Sequence, residues 1–361
     1  MAEISEKIDQ KIGEIRTETL DMSFGEILSL HSQKELIIQP EYQRYFRWAD
    51  EQKSRLVESI LLGLPIPPIF VVENDDGVLE LIDGLQRISS IIQFIEHRQI
   101  EQEEPLVLVG CDIVEDLNGK GFNDLPLVLK LRIKRSNVRM VIIKKQSNSL
   151  LRYEMFKRLN TGGSVLTPQE VRNCSVRMYG DRGIEFYDFL TECANFGAFK
   201  NCIATVSEAD FDQRFDEELV LRFFAAKNAG YLFNRNVRIW LDSYLEKVLK
   251  GNIDFNYNKE KNDFYSVFTY LDKLMGQDSF VRYRNGSPIG SLAPAYYEAV
   301  SVGVFQCLDF IHKIEEKVVK NAIINKLMSD DFKRNIGPGS SKISSFRERI
   351  SAIRESIQSC Q

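Results

Sequence analysis

The sequence predicts an α+β fold, with a mixed α/β N-terminal part followed by a mostly helical remainder. Three observations predict it. Short apolar runs bounded by Gly, Pro, Asn and Asp recur early in the chain, at 36–38, 69–73, 78–82 and 139–144. Beyond residue 167, Phe, Leu, Ile and Val recur almost only at three- and four-residue spacing. A chain of 361 residues, 43% hydrophobic and 27% charged, can bury cores for two domains.

The elements follow in order. Residues 1–20 read as a polar helix or a frayed leader. Ser23-Phe24-Gly25-Glu26 has S-x-x-E spacing, which predicts a short helix to about His31. Residues 36–38 form a short strand that Pro40 halts. Asp50 is expected to cap a helix over 51–62, with Leu56, Val57, Ile60 and Leu61 on one face and Gly63 and Pro65 ending it. Asn74-Asp75-Asp76-Gly77 lies between two apolar runs and predicts a hairpin. After Asp83-Gly84, residues Leu85, Ile88, Ile91, Ile92 and Ile95 recur at helical spacing.

Residues 99–123 are acidic and turn-rich, an expected excursion over the surface. Residues 129–134, L-K-L-R-I-K, alternate strictly and predict a strand with Lys130, Arg132 and Lys134 on one face, paired to a second strand at 139–144. A helix over 150–159 is expected to end at Asn160-Thr161-Gly162-Gly163. Thr167-Pro168-Gln169-Glu170 is a strong helix start, with a cap, proline at N1 and Glu at N3. Further helices are expected over 183–195, 208–227, 235–249, 263–274, 292–313, 316–328 and 345–359. The domains are assigned as 20–170 and 171–361.

Charge and composition narrow the function. The net charge is −5, with 21 Lys+Arg against 26 Asp+Glu in residues 1–160 and 26 of each afterwards. Bulk charge therefore does not advertise nucleic-acid binding, and any such contact rests on a local patch. Seven basic residues without an intervening acid lie in 129–145, and Lys130, Arg132 and Lys134 are the candidate DNA contacts. Lysines that blunt an edge strand are the competing explanation. Six cysteines without a CxxC pair and three isolated histidines predict no zinc, no disulfide and reduced thiols in a cytoplasmic protein. The longest apolar run, 60–72, is broken by three prolines, so no membrane span is expected.

One stretch organises the rest. Residues 78–96 read as strand, tight turn and helix, with Asp83, Gln86 and Arg87 gathered at the helix start. Such an end presents unpaired N–H groups and a partial positive charge, so it can receive a phosphate. The same residues also suit a capping box from Asp83 to Gln86 and an i,i+4 ion pair from Asp83 to Arg87. The stretch alone leaves both readings open.

Three separated motifs then align: Pro40-Glu41-Tyr42-Gln43-Arg44 followed by Trp48, Asp83-Gly84-Leu85-Gln86-Arg87, and Phe156-Lys157-Arg158-Leu159-Asn160-Thr161-Gly162-Gly163 followed by Leu166. In this order the set resembles the N-terminal domain of GmrSD-type restriction endonucleases, a family with a ParB/sulfiredoxin-like core, over about residues 20–175. Leu85 stands where that family has a glutamine. The resemblance implies a site that binds, and in some members hydrolyses, a nucleoside triphosphate with Mg²⁺, in defence against foreign or modified DNA. It implies that Tyr42, Gln43, Arg44, Gly84, Arg87, Asn160, Thr161 and Gly162 bind the nucleotide. Asp83, Gln86 and Arg87 would be catalytic, Asp83 through Mg²⁺, Gln86 by orienting water and Arg87 on phosphate oxygens.

Relatives carry a C-terminal His-Asn-His nuclease. Here the C-terminal half has His312 alone, inside an apolar-periodic segment, and it reads as a packing residue. The leading reading is thus a nucleotide-dependent NTPase or sensor component of an anti-phage or restriction system, with a separate nuclease or defence subunit and DNA as partners. A non-catalytic nucleotide- or DNA-binding switch that docks a partner is the second reading, and a DNA nuclease the third.

Overall fold

The computed structural model describes residues 16–38, 48–74, 76–96, 105–144, 167–177, 179–233, 236–336 and 342–361. The chain divides into two compact units, Met1–Leu166 and Thr167–Gln361.

The first unit is built on a five-stranded mixed sheet of order β1-β5-β3-β4-β2. Its strands are β1 (Thr17–Ser23), β2 (Leu36–Ile37), β3 (Ile69–Glu73), β4 (Leu79–Asp83) and β5 (Asn137–Ile143). Helices α1 (Phe24–Ser32), α2 (Asp50–Leu62), α3 (Leu85–Glu96) and α4 (Leu127–Arg135) belong with it. Its core joins Phe24 and Ile27 of α1, Val57 and Ile60 of α2, and Ile88, Ile91 and Phe94 of α3 to Ile69, Val71 and Met140 of the sheet.

Local signals place several of these elements as expected. Ser23 caps α1 by accepting from the Glu26 N–H at 3.1 Å. Gly63, at φ 72°, ends α2 in the left-handed conformation. Asp50, expected as a cap, is the first helical residue instead; Ala49 precedes it, and Gln52 Oε1 accepts from the Ala49 N–H at 3.1 Å. Strands β3 and β4 pair antiparallel as the expected hairpin, and the Gly77 N–H donates to the Asn74 carbonyl at 3.0 Å.

Other expectations fail for physical reasons. Strand β1 begins within the predicted leader and runs beyond it to Ser23, pairing antiparallel with β5 from Thr17↔Ile143 to Ser23↔Asn137. Its partner lies more than a hundred residues away, and ion pairs Asp21–Arg139 at 3.0 Å and Glu18–Lys144 at 2.6 Å fix the pairing. The predicted strand over 129–134 is helix α4. Pro126 starts it, and Leu129 and Ile133, four residues apart, turn to the core. Alternation over six residues is too short to outvote that spacing. Consequently β5 pairs with β1 and, in parallel, with β3. The excursion expected over the surface sends Leu106, Leu108, Leu117 and Phe122 inward. It is pinned to α2, where buried Glu58 Oε1 accepts from the N–H groups of Ile113 and Val114 at 3.1 and 2.7 Å.

The second unit is almost all helical. Its main helices are α5 (Pro168–Arg177), α6 (Asp181–Ala194), α7 (Gly197–Cys202), α8 (Phe215–Ala229), α9 (Val237–Leu249), α10 (Tyr257–Leu274), α11 (Pro294–Phe305), α12 (Glu316–Met328) and α13 (Ile343–Gln358). The expected helix over 208–227 breaks at Arg214, which sits at φ 61°. That over 292–313 ends at Phe305 and gives way to a separate short helix, Leu308–Ile311. A small hairpin, β6 (Arg282–Arg284) and β7 (Ser287–Ile289), turns through Asn285 and Gly286 at φ 51° and 77°.

Phe199, Phe223, Phe224, Phe264 and Phe268 form the centre of this core. Two glycines allow close helix approach. A Cβ on Gly183 would lie 1.8 Å from the Val176 carbonyl oxygen, and one on Gly303 would lie 2.8 Å from Ile353 of α13. Cys193, Cys202 and Cys307 are buried thiols, and burial pushes the first two up to about 12 and the third up to about 11. Among the described residues, no helix is long and apolar enough to cross a membrane.

Candidate functional site

The strand-turn-helix corner forms where expected, and a β-bulge shapes it. Val71 pairs with Leu81, but Phe70 pairs with Asp83, so Ile82 is an extra residue in β4. A regular ladder would set Asp83 opposite Ile69, which is fully buried. The bulge sets it opposite half-buried Phe70 instead, and such kinks re-aim a side chain where a strand ends.

Gly84 then turns the chain at φ 102°. A Cβ there would lie 2.5 Å from Ile69 Cγ2, so the glycine serves packing by β3 as well as the turn. The Ile88 N–H donates to the Gly84 carbonyl at 3.0 Å, which opens α3. Arg87 folds back over the turn. Its Nη2 donates to Asp83 Oδ2 at 2.9 Å and to the Pro68 carbonyl at 3.2 Å. The Arg87 side chain is 15% exposed and that of Asp83 33%. Arg87 Nε is buried with no hydrogen-bond partner among the described residues. A guanidinium held on one edge keeps its planar fork oriented, which suits it to receive an oxyanion.

The expected i,i+4 ion pair therefore forms, and the helix opens at Leu85, one residue later than the expected capping box would start it. Gln86 Oε1 accepts from the Trp48 N–H at 3.1 Å. That bond brings the end of the first motif to the second across 38 residues. Leu85, in the position where the resembled family has glutamine, is half-buried and packs against the core. Tyr42, Gln43, Arg44, Asn160, Thr161 and Gly162 lie outside the described residues.

The candidate DNA contacts do not share one face. On α4, Lys130 and Lys134 both lie over the Phe122 ring, at 5.8 and 5.7 Å from its centroid, and Lys130 Nζ donates to the Asn123 carbonyl at 2.9 Å. Arg132 is exposed, and a helical turn carries it away from those two lysines. Asp83 as a magnesium ligand fits the donor chemistry, since that ion takes one or two carboxylates and fills its shell with phosphate oxygens and water.

Sequence reasoning missed a buried charge network in the second unit. Arg172 of α5 bonds Asp242 at 2.8 Å and Glu218 at 3.1 Å. Arg222 bonds Glu218 at 2.8 Å and Glu298 at 2.9 Å, and Arg349 reaches the other Glu298 oxygen. Asn173 donates to Glu217, whose carboxyl burial pushes up to about 7 against the pull of Arg214. Burial also works on Glu218, but Arg222 and Arg172 outweigh it and hold that carboxyl below its usual range. The signal was the polar run Gln169-Glu170-Val171-Arg172-Asn173 inside a helix, since buried charges need partners. His312, expected to pack within a long helix, is exposed after Ile311 with its ring 5.4 Å from that of Tyr270.

The first unit thus defines a mixed-sheet domain whose bulged strand delivers a carboxylate and an arginine to a helix start. Residues 24–177 match the family model of the GmrSD restriction endonuclease, N-terminal domain, and over that span the chain is similar to that domain. The match runs from the first residue of α1 to the last of α5. No curated protein and no solved structure matches the chain.

Proposed function

We propose that this chain is a nucleotide-handling regulatory component of a restriction-type DNA defence system, acting in the cytoplasm. In this reading it binds a nucleoside triphosphate with Mg²⁺ at the start of α3 and hydrolyses it, while a separate subunit cleaves DNA. The family match supports the link to restriction. The observation that carries the nucleotide reading is the Arg87 guanidinium, fixed by Asp83 and the Pro68 carbonyl beside the start of α3, where the helix dipole favours an anion.

The roles follow from that geometry. Arg87 holds phosphate oxygens through the edge it does not spend on Asp83. Asp83 carries the metal, which supplies charge neutralisation of the phosphates when bound. Gln86 orients water, its amide plane set by the Trp48 bond. Arg44, Tyr42, Gln43, Asn160, Thr161 and Gly162 complete the nucleotide site by resemblance.

Titration calorimetry and phosphate release with each of the four common NTPs and Mg²⁺ test this. Arg87→Ala is expected to weaken binding about tenfold or more, equivalent to about 1.4 kcal/mol. Asp83→Ala removes a carboxylate that repels triphosphate, so binding persists while turnover collapses. Gln86→Ala is expected to spare binding and slow turnover. Wild-type binding by a folded Arg87→Ala protein overturns the reading. Half-buried Leu85 favours a second reading, a switch that binds nucleotide without hydrolysis. Binding without phosphate release from the wild type identifies it.

A further inference from the structure

Helix α4 has an outward face that neither the nucleotide reading nor the fold uses. Leu129 and Ile133 turn inward, and Lys130 and Lys134 lie over Phe122. The remaining residues form two i,i+4 rows, Leu127-Leu131-Arg135 and Val128-Arg132. Leu127 and Val128 are 69% and 75% exposed, the most exposed large apolar side chains among the described residues. Arg132 and Arg135 are exposed too, and no acidic residue lies in the helix. The cations near the C-terminal end have a structural reason, because they oppose the helix dipole. Leucine and valine in water have none, since polar residues would support the same helix.

We propose that this face docks an acidic amphipathic helix of a partner protein. Large apolar residues of that helix would cover Leu127, Val128 and Leu131, and carboxylates one turn further would meet Arg132 and Arg135. Charge complementarity selects an anionic occupant. Nucleic acid is a poorer fit, because a phosphate lattice satisfies the arginines and leaves Leu127 and Val128 in water. A bilayer is poorer still, because a nine-residue helix with three outward apolar side chains offers too little area to anchor.

The test uses the full chain. A random peptide library is selected on the wild type and counter-selected on the double variant Leu127→Ser with Val128→Ser. The expected winners carry Asp or Glu beside Leu, Ile or Phe at helical spacing. Each is expected to lose about tenfold or more in affinity to that double variant, and likewise to Arg132→Glu with Arg135→Glu. All four side chains are solvent-facing, so unchanged melting curves verify that the variants fold. No enrichment, winners without acidic residues, or winners indifferent to either double variant overturn the proposal. So does binding of phosphatidylglycerol vesicles or of random-sequence duplex DNA that depends equally on Leu127 and Val128.

Discussion

One missing methyl group governs the corner where Asp83 meets Arg87. Gly84→Ala places a Cβ at φ 102° and 2.5 Å from Ile69. Backbone strain of that kind costs about 1–3 kcal/mol. Urea unfolding is expected to show at least that loss, and a wild-type midpoint would mean the turn relaxes without cost. Glu217 carries a second residue-scale consequence. Its folded value of about 7 lies above the usual carboxyl range because burial penalises the anion. Between the unfolded value and about 7 the native state holds a proton that the unfolded chain has released. Its contribution to stability is therefore full at low pH and lost as pH rises through that window. Asn173, Arg214, Asp216, Arg177 and Tyr187 surround it and persist in the variant Glu217→Gln. That variant is expected to flatten the fall in unfolding free energy from pH 5 to 7 by about 1–3 kcal/mol relative to wild type. Parallel curves for the two proteins would contradict the burial argument. At this scale the Asp83–Arg87 pair was legible, because four-residue spacing on a helix brings side chains together. The Gln86–Trp48 bond was not, since nothing local ties two residues 38 apart. Nor does Phe215-Asp216-Glu217-Glu218 say which carboxylate turns inward.

Among elements, the sequence was most readable where a cap and an apolar period agree. Ser23 with Glu26 and Thr167 with Glu170 both start helices, the latter as a reciprocal box with bonds of 2.7 and 3.3 Å. Where a period is short, tertiary context decides. The six residues from Leu129 to Lys134 satisfy strand alternation and helical spacing alike, and burial of Leu129 and Ile133 selects the helix. Strand β1 is exposed along most of its length, so it has no apolar period to read, and its pairing with β5 is visible only in three dimensions. Asn285-Gly286 is a strong hairpin signal that the surrounding helical periodicity obscured. The crossing of α11 and α13 supports a sharper expectation. Gly303→Val adds bulk where even a Cβ would stand 2.8 Å from Ile353, and overpacking of this sort costs about 1–3 kcal/mol. Adding Ile353→Ala should recover part of the loss. Additive losses in a double-mutant cycle would place the strain elsewhere.

For the molecule as a whole, the family match and the folding unit end at different places. The match extends to Arg177, yet the second compact unit begins at Thr167 and takes in α5. Arg172 and Asn173 of that helix satisfy Asp242, Glu218 and Glu217. A fragment of residues 167–361 is therefore expected to fold and melt cooperatively. A fragment of 178–361 strips Arg172 and Asn173 from three buried carboxylates, leaving Glu218 with Arg222 and Glu217 with Arg214, and is expected to lose about 3–5 kcal/mol or fail to fold. Circular dichroism and urea unfolding of both fragments check this, and equal stability would show α5 to be dispensable. The division into a mixed part and a helical part was legible from the change of apolar period. The allegiance of α5 was not, because it depends on partners that the helix meets only after the chain has folded.

The extra residue in β4 makes the placement of Asp83 a matter of counting. Ile82 shifts the ladder by one, so the acid reaches the half-buried row of Phe70 and not the sealed row of Ile69. A shortened gene lacking only codon 82 would restore an unbroken ladder and still leave the acid opposite Phe70. A chain that kept Ile82 but ironed out the bulge would instead carry the carboxylate round to the dry row of Ile69, so losing the kink and losing the residue are opposite errors for this corner.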